Sequence, residues 1–254
     1  MVVAPQPATG KSESVRRMFS RIAHRYDLMN ALMTAGRHHA WRRMTAATLR
    51  DAPPGPVLDL ATGTADLALA IRRVRPTGTL IGADFSEAML REAASKLGRR
   101  GARVPLLAAD ALTLPFRDRT FAAVTSAFLL RNLADLGGGV AEMRRVTKVG
   151  GLVVTLEITR PRIPGWDGLF GFYFHRVVPA VGALVAGDRA AYSYLPDSVD
   201  RFVSPQGLAE LMRRRGLVDV HYRRLGIGTI ALHVGAVGGS DTAPTPPKAR
   251  PASG

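Results

Sequence analysis

Hydrophobic residues recur every three or four positions near the start of the chain. Residues 13–34, ESVRRMFSRIAHRYDLMNALMT, have apolar side chains at this spacing, which predicts one amphipathic helix. A second helix is predicted around Trp41, Met44 and Leu49, and the Pro-Pro-Gly-Pro segment at 53–56 ends it. We expect this helical unit, residues 13–50, to form a lid over a site in the part of the chain that follows.

From residue 56 the pattern changes to short apolar runs that alternate with helical segments. The predicted strands are 56–61, 79–84, 104–110, 122–130, 150–158, 218–225 and 229–235, and the predicted helices between them are 66–74, 86–97, 140–146 and 205–216. This alternation predicts an α/β fold, a Rossmann-like and mostly parallel sheet with helices on both faces. Ligands of such sheets bind at the carboxyl ends of the strands.

Length and composition limit the class of protein. The chain has 254 residues, of which 46% are hydrophobic, enough for one large domain. We expect a disordered lead-in at 1–12, one folded domain at 13–237, and a Pro/Ala/Ser-rich tail at 238–254. With no cysteine, disulfides and cysteine-based metal sites or nucleophiles are excluded. No apolar run has the length of a membrane span and no secretory signal is visible, so we expect a cytoplasmic protein.

The net charge of +15 predicts an anionic partner: nucleic acid, a membrane surface or an anionic ligand. Almost all the basic residues are arginine, which is also typical of GC-rich genomes and weakens the argument from charge. A basic nucleic-acid-binding protein on an enzyme scaffold is one alternative. Since no RNA-binding module and no interleaved aromatic platform is visible, we expect no nucleic-acid partner.

Small and acidic residues follow the first predicted strands. In VLDLATGTADLALA, residues 57–70, a small-residue turn containing Gly63 separates a strand from a helix, so a ligand can approach the backbone and the helix N-terminus. Asp84 ends the second strand and Asp110 the third. Each acid alone could simply cap a helix. Acids that recur at successive strand ends, together with the small-residue turn, indicate a nucleoside site instead. The turn lacks the dinucleotide G-x-G-x-x-G pattern, which favours a shorter ligand.

Several segments resemble a known family. VLDLATGTADLA, GADFSEAML, ADALTLPFRDRTF and EMRRVTKVGG follow in order the motifs of class I S-adenosylmethionine-dependent methyltransferases. SRIAHRYDLMNALMTAGRHHAW, TSAFLLRNLAD and VVPAVGALVAGDRAAYSYLPDSVDRF resemble the signatures of the ubiquinone/menaquinone biosynthesis C-methyltransferases. The resemblance covers about residues 14–235. It implies C-methylation of a demethylmenaquinol, a prenylated naphthoquinol, in the last step of menaquinone biosynthesis, with S-adenosylmethionine as donor and no metal.

The resemblance also implies roles for individual residues. Those expected to contact the donor are Gly63, Thr64, Asp84, Asp110 and Ala111. Arg131 and Asn132 follow the fourth strand, and our hypothesis is that Arg131 stabilises the phenolate of the deprotonated quinol. Because arginine stays protonated, another group or water must take the proton. Tyr26, on the lid, is a further candidate catalytic residue, with simple core packing as the alternative.

Two features leave the acceptor and the partners open. The family usually has Gly where this chain has Leu129, whose bulk is expected beside the acceptor pocket, so another aromatic or polyketide-like acceptor is an alternative. The apolar, aromatic insertion at 161–200 is expected to hold the isoprenoid tail or to rest transiently on an anionic membrane surface. A homodimer interface or local core packing would explain the same residues.

Overall fold

A computed structural model describes residues 10–161, 168, 171–186 and 188–239. The strands are β1 (Val57–Leu60), β2 (Leu80–Asp84), β3 (Leu106–Ala108), β4 (Phe121–Ala127), β5 (Thr147–Ile158), β6 (Leu217–Leu225) and β7 (Ile230–Val237). The α-helices are α1 (Gly10–Ile22), α2 (Tyr26–Thr34), α3 (Arg37–Ala47), α4 (Asp66–Val74), α5 (Glu87–Arg99), α6 (Leu136–Val146), α7 (Val178–Val181), α8 (Arg189–Asp200) and α9 (Pro205–Arg214).

The described strands form one seven-stranded sheet in the order β3-β2-β1-β4-β5-β7-β6. The first five strands are parallel, and β7 runs antiparallel to both β5 and β6. The chain order reverses between β1 and β4, so the loops after these two strands leave in opposite directions and a crevice opens at their carboxyl ends. The predicted α/β, mostly parallel sheet is confirmed.

The sheet is buried because helices cover both of its faces. One core contains Leu58 and Phe121 and packs against α6 and α9, while the other contains Leu156 and packs against α3, α4 and α5. All four residues of β1 are buried, which explains the continuous apolar run in the sequence. The sheet therefore provides a rigid base for the loops at its carboxyl edge.

The predicted single helix at 13–34 is wrong in one respect. A short 3₁₀ segment at Ala23–Arg25 separates α1 from α2, since the backbone at Ile22 and Arg25 has moved to ψ near 0. The apolar spacing alone did not show this break, because both helices bury their apolar faces. Helix α1 also begins at Gly10, inside the expected lead-in; the remainder of that lead-in, 1–9, and the tail 240–254 lie outside the described residues.

Part of the insertion is local core. Residues 171–186 are helical, with π-helical turns at Tyr173–Val177 and Gly182–Ala186 on either side of α7. Phe174 and Val178 are buried against Met18, Ile22 and Met29 of the lid helices and against residues of α8. Trp166, Leu169 and Phe170, which the sequence also made candidates for tail or membrane contact, lie outside the described residues. Among the helices that are described, none has the length and apolar character required to cross a bilayer.

Candidate active site

The turn after β1 is held in left-handed backbone conformations. Ala61, Gly63 and Ala65 have φ of 54°, 55° and 69°. Such values favour glycine and disfavour large side chains, which explains the run of small residues. A Cβ built on Gly63 would meet no atom within 4 Å, so the backbone there faces open space. A ligand can therefore approach the start of α4 closely.

Asp84 holds this turn in place. Its carboxylate accepts the backbone N–H of Gly63 and of Ser86, each at 2.9 Å. Burial raises the pKa of the Asp84 carboxyl to about 6, while the backbone N–H groups act in the opposite direction. Each carboxylate oxygen keeps a second lone pair, so Asp84 is still able to accept hydroxyl groups of a ligand.

A cleft of about 760 Å³, here called the strand-end cleft, opens beside these residues. Gly63, Asp84, Asp110 and Ala111 all line it, as the sequence predicted, and Phe19 and Tyr26 of the lid helices cover it. The Asp110 carboxylate accepts the Leu112 backbone N–H at 2.9 Å and so fixes its own loop. Glycine backbone, a buried acid and an apolar wall that includes Met89 and Leu112 suit a nucleoside with a charged tail.

Thr64 lies in a different network. Its hydroxyl donates to Asp27 of α2 at 2.6 Å and accepts from Lys96 of α5 at 3.0 Å. Lys96 also pairs with Asp27 and, at 2.7 Å, with Asp66 at the start of α4. Thr64 is not among the described residues that line the strand-end cleft, and its contact with the donor stays a prediction.

A second cavity, here called the lid cavity, comprises about 1150 Å³ of space, which includes solvent at its opening. Its walls are mostly apolar and come from α1, α2, α3, the helical segment 171–186, α8 and the start of β7. Three residues line both the lid cavity and the strand-end cleft: Phe19, Tyr26 and Phe128. The predicted site residue Tyr26 therefore borders both spaces and packs edge-on against Phe19, with ring centroids 6.1 Å apart.

Phe128 is the site residue that the sequence did not reveal. Its φ of 65° is left-handed, which ends β4 at Ala127 and corrects the predicted strand 122–130. The guanidinium carbons of Arg42 and Arg131 lie 5.4 and 5.7 Å from its ring centroid. A strained, bulky residue between two cavities is a feature of functional sites, and no pattern in the sequence marks it.

Arg131 lines the lid cavity and is tied to a buried acid. One Nη donates to the Phe128 carbonyl at 2.7 Å and to Glu157 at 3.3 Å. Burial raises the pKa of Glu157, and the Arg131 charge opposes that rise. The Arg131 Nε–H is buried and has no hydrogen-bond partner within the described part of the chain. This donor is available to an oxygen atom in the lid cavity.

The structure separates Asn132 and Leu129 from the lid cavity. Asn132 lines the strand-end cleft, donates to the Phe128 carbonyl at 3.0 Å and accepts from the Tyr194 hydroxyl at 3.2 Å. Leu129 also lines the strand-end cleft and packs into the sheet core. Leu129 is not among the described residues that line the lid cavity, and its expected effect on the acceptor pocket stays a prediction.

Further polar atoms of the lid cavity lack partners. Asn30 Nδ2, His38 Nε2 and the Tyr192 hydroxyl are buried, line this cavity and have no partner among the described residues. His38, His39 and Asp66 also approach one another closely enough to suggest a cation site. Arg42 at His38 and Lys96 at Asp66 supply positive charge there instead, so the cluster is an ion-pair network.

Solved structures share this fold. An S-adenosylmethionine-dependent methyltransferase from Thermotoga maritima superposes with a TM-score of 0.60 and 18% identity, over 87% of this chain and 98% of that chain. One from Aquifex aeolicus gives 0.55 and 18%, over 83% and 96%. The [4+2]-cyclase SpnF gives 0.64 and 18%, over 92% and 99%, so the fold by itself does not fix the reaction. The fold is that of the class I S-adenosylmethionine-dependent methyltransferases.

Sequence relatives are more specific. The model of the ubiE/COQ5 methyltransferase family matches residues 8–237. Demethylmenaquinone methyltransferases from Roseiflexus castenholzii and Thermus thermophilus are 42% and 44% identical to this chain, covering 90% and 86% of it and 95% and 99% of the relatives. A ubiquinone/menaquinone biosynthesis C-methyltransferase from Desulfotalea psychrophila is 44% identical over 89% of this chain and 91% of its own. The chain belongs to the ubiE/COQ5 methyltransferase family and is a methyltransferase, which confirms the resemblance.

Proposed function

We propose that this methyltransferase transfers a methyl group from S-adenosylmethionine to a ring carbon of a demethylmenaquinol. The observation that carries the proposal is the junction of the two cavities, where Phe19, Tyr26 and Phe128 line both. A donor in the strand-end cleft and an aromatic acceptor in the lid cavity would meet there, and positioning of this kind supplies much of the acceleration in group transfer. The names of the relatives supply the acceptor class.

The residues of the strand-end cleft fit the donor. The open backbone at Gly63 gives room for its amino-acid tail, Asp84 accepts ribose hydroxyls, and the segment from Asp110 to Leu112 borders the base. S-adenosylmethionine supplies a sulfonium methyl group, which reaches carbon without a redox step while a ring proton is released. The reaction therefore balances without an oxidant or a metal.

The residues of the lid cavity fit an electron-rich acceptor. A quinone ring is electron-poor, whereas a deprotonated quinol carries negative charge onto the adjacent ring carbon. Arg131 lines this mostly apolar cavity, and its Nε–H is buried without a partner among the described residues, a setting in which a charged donor stabilises a phenolate strongly. The apolar walls contributed by Phe174, Tyr173 and Leu195 suit the prenyl chain.

The proposal is tested by methyl transfer from labelled S-adenosylmethionine to a short-chain demethylmenaquinone with and without dithionite. We expect product only under reduction, because only the quinol has a nucleophilic ring carbon. Donor binding without product under reduction would refute the proposed acceptor and favour the alternative of another aromatic or polyketide-like substrate.

Arg131 requires a paired variant, since removing it alone leaves Glu157 buried without its charge partner. We expect Arg131→Met with Glu157→Gln to lose about 100- to 1000-fold in kcat relative to Glu157→Gln alone, with donor affinity unchanged. Arg160→Met, at an exposed ion pair with Asp200, is the matched control and keeps full activity. An equal kcat in the paired variant and in Glu157→Gln would remove Arg131 from the mechanism.

We also propose that the lid rests on an anionic membrane surface, where a prenylated acceptor resides. Exposed apolar residues, here called the lid patch, lie on α2 and on the adjoining segment 171–186: Leu28, Leu32, Phe172 and Leu184. Tyr173 donates to the Met33 carbonyl at 2.9 Å, which joins these two elements. Exposed Arg37, at the start of α3, and exposed Arg176, on the segment 171–186, would favour anionic lipid.

Vesicle flotation tests this second proposal. The protein is expected to float with vesicles that contain anionic lipid, and Leu28→Ser with Leu32→Ser to reduce the floated fraction severalfold. Val149→Ser, at an exposed apolar residue on the opposite end of the sheet, is the control and leaves flotation unchanged. If both variants float as the unchanged protein does, the proposal is contradicted. If the protein is a dimer that dissociates in the Leu28/Leu32 variant, the lid patch is assigned to self-association.

A further inference from the structure

His38 of α3 carries a hydrogen-bond donor that the proposed reaction has not yet used. The imidazole is 1% exposed and lines the lid cavity. Its Nε2 is buried without a partner among the described residues, so the hydrogen-bonding capacity of this atom is unused within the described protein. A buried polar atom left in this state normally has a ligand partner.

The contact made by the other ring nitrogen, Nδ1, determines the tautomer of the His38 imidazole. The Arg42 guanidinium lies 2.6 Å from His38 Nδ1, and a guanidinium only donates hydrogen bonds. Nδ1 is therefore the acceptor, and the single proton of the neutral ring is on Nε2. His38 thus presents an N–H to the cavity and is unsuited to be a general base at that atom.

The surroundings keep the ring neutral. Burial, followed by the charges of Arg42 and His39, lowers the pKa of His38 to about 4, and Asp66 and Asp27 act in the opposite direction. These groups come from α2, α3 and α4, which surround the ring. Near neutral pH the donor is uncharged, so an apolar cavity accommodates it without a counter-ion.

His38 and Arg131 both line the lid cavity, as Phe128 does. Arg42, which holds His38, and Arg131 both lie within 6 Å of the Phe128 ring centroid. Among the described residues, the unpartnered donors of the lid cavity therefore include one charged group, the Arg131 Nε–H, and three neutral ones: the His38 Nε2–H, Asn30 Nδ2 and the Tyr192 hydroxyl. His38 is the one whose tautomer a neighbouring guanidinium fixes. A ring with one oxygen would use only Arg131 or His38, whereas a 1,4-dihydroxy ring has an oxygen for both.

We propose that His38 Nε2–H binds the quinol oxygen across the ring from the one that Arg131 stabilises, and that Arg42 is the positioning residue that fixes the His38 tautomer. This inference rests on the proposed function and adds specificity: the site selects 1,4-dihydroxy aromatic acceptors over monohydroxy ones. A neutral imidazole donor also stabilises an oxyanion without requiring a proton from solvent.

The first test pairs two variants with two acceptors. The acceptors are the short-chain demethylmenaquinol and an analogue that lacks the hydroxyl farther from the methylated carbon. With the quinol we expect His38→Leu to lose about 10- to 100-fold in kcat/KM, and His38→Gln, whose amide N–H can reach the same place, to recover most of it. With the analogue, His38→Leu and the unchanged protein should be equal. Equal losses with both acceptors, or no loss with the quinol, would overturn the proposal.

The second test needs no acceptor. ¹⁵N NMR of the protein with S-adenosylhomocysteine bound should show His38 as the Nε2–H tautomer throughout pH 6 to 8, and Arg42→Met should produce a mixture of tautomers. An Nδ1–H tautomer in the unchanged protein would overturn the proposal. Failure of the unchanged protein to methylate any quinol, with the Nε2–H tautomer present, would instead refute the proposed function.

Discussion

At the scale of single residues, burial controls the ionisation of Asp84, which we propose to bind the ribose of the donor. The carboxyl has a pKa near 6 because it is buried, although it receives two backbone N–H groups. Its ionised form accepts ribose hydroxyls better than its protonated form does. Since the folded-state pKa is raised, ionisation of Asp84 opposes folding. The stability that the protonated Asp84 carboxyl contributes is therefore complete below its unfolded-state pKa and is lost as pH rises through about 6.

We therefore expect donor affinity to weaken as pH falls below about 6, approaching about tenfold per pH unit. Calorimetric titration of S-adenosylhomocysteine between pH 5 and 8 measures this, and Asp84→Asn should bind weakly at every pH. Asp59 is the matched control: burial raises its pKa to about 6 as well, but its carboxylate accepts hydroxyls of Thr62 and Thr125 inside the sheet. Affinity independent of pH in the unchanged protein would contradict this role of Asp84.

At the scale of elements, the C-terminus of α2 contains an avoidable strain. Ala35 is exposed and has φ of 47° and ψ of 43°, a conformation that glycine adopts without penalty. Ala35→Gly is expected to raise the free energy of unfolding by about 0.5–1 kcal/mol. Ala94→Gly, at an exposed position inside α5, should lower it by about 1 kcal/mol. Urea unfolding measures both, and changes of the same sign would contradict the assigned backbone geometry.

An ion pair and a hydrogen bond of Asp27 link the lid to the rest of the domain. Asp27 of α2 contacts Lys96 of α5 and the Thr64 hydroxyl in the turn after β1. Because the Asp27 side chain is 43% exposed, water and salt screen this link and its contribution to stability is small. We expect the Asp27 link to affect ligand affinity instead, since the lid helices cover the strand-end cleft.

We expect Asp27→Asn to weaken binding of S-adenosylhomocysteine by about three- to tenfold and to speed amide hydrogen exchange in α1 and α2, with little change in Tm. Glu13→Gln removes an exposed ion pair with Arg16 on α1 and should change neither quantity. The same affinity in Asp27→Asn and in the unchanged protein would show that the lid is held by apolar packing alone.

The sequence predicted the elements better than their junctions. Alternating apolar runs predicted the order of strands and helices because burial on the two faces of a sheet imposes that pattern. The break at Ala23–Arg25 and the left-handed Phe128 were not predicted, since neither changes the spacing of apolar residues. The pairing of Arg131 with Glu157 joins residues on different elements, and no local pattern encodes such a contact.

At the scale of the whole molecule, the proposed methyl transfer requires the strand-end cleft and the lid cavity to communicate past Phe19, Tyr26 and Phe128, which line both. The strand-end cleft follows from the sheet topology, and the sequence predicted some of its lining residues, among them Gly63, Asp84, Asp110 and Ala111. The lid cavity forms only when α1 to α3, the helical segment 171–186 and α8 pack together. Sequence motifs identified the family and made Arg131 a candidate, whereas the role proposed for His38 emerged only from the three-dimensional packing of the lid cavity.

The central claim is that a donor and a quinol ring meet at the junction lined by Tyr26 and Phe128. The most direct measurement uses S-adenosylmethionine with a trideuterated methyl group and a reduced short-chain demethylmenaquinone, with product analysis by mass spectrometry and NMR. The label should appear on a ring carbon, with loss of one ring hydrogen and with both ring oxygens unmethylated. Label on an oxygen, or the absence of any labelled quinol, would contradict the account.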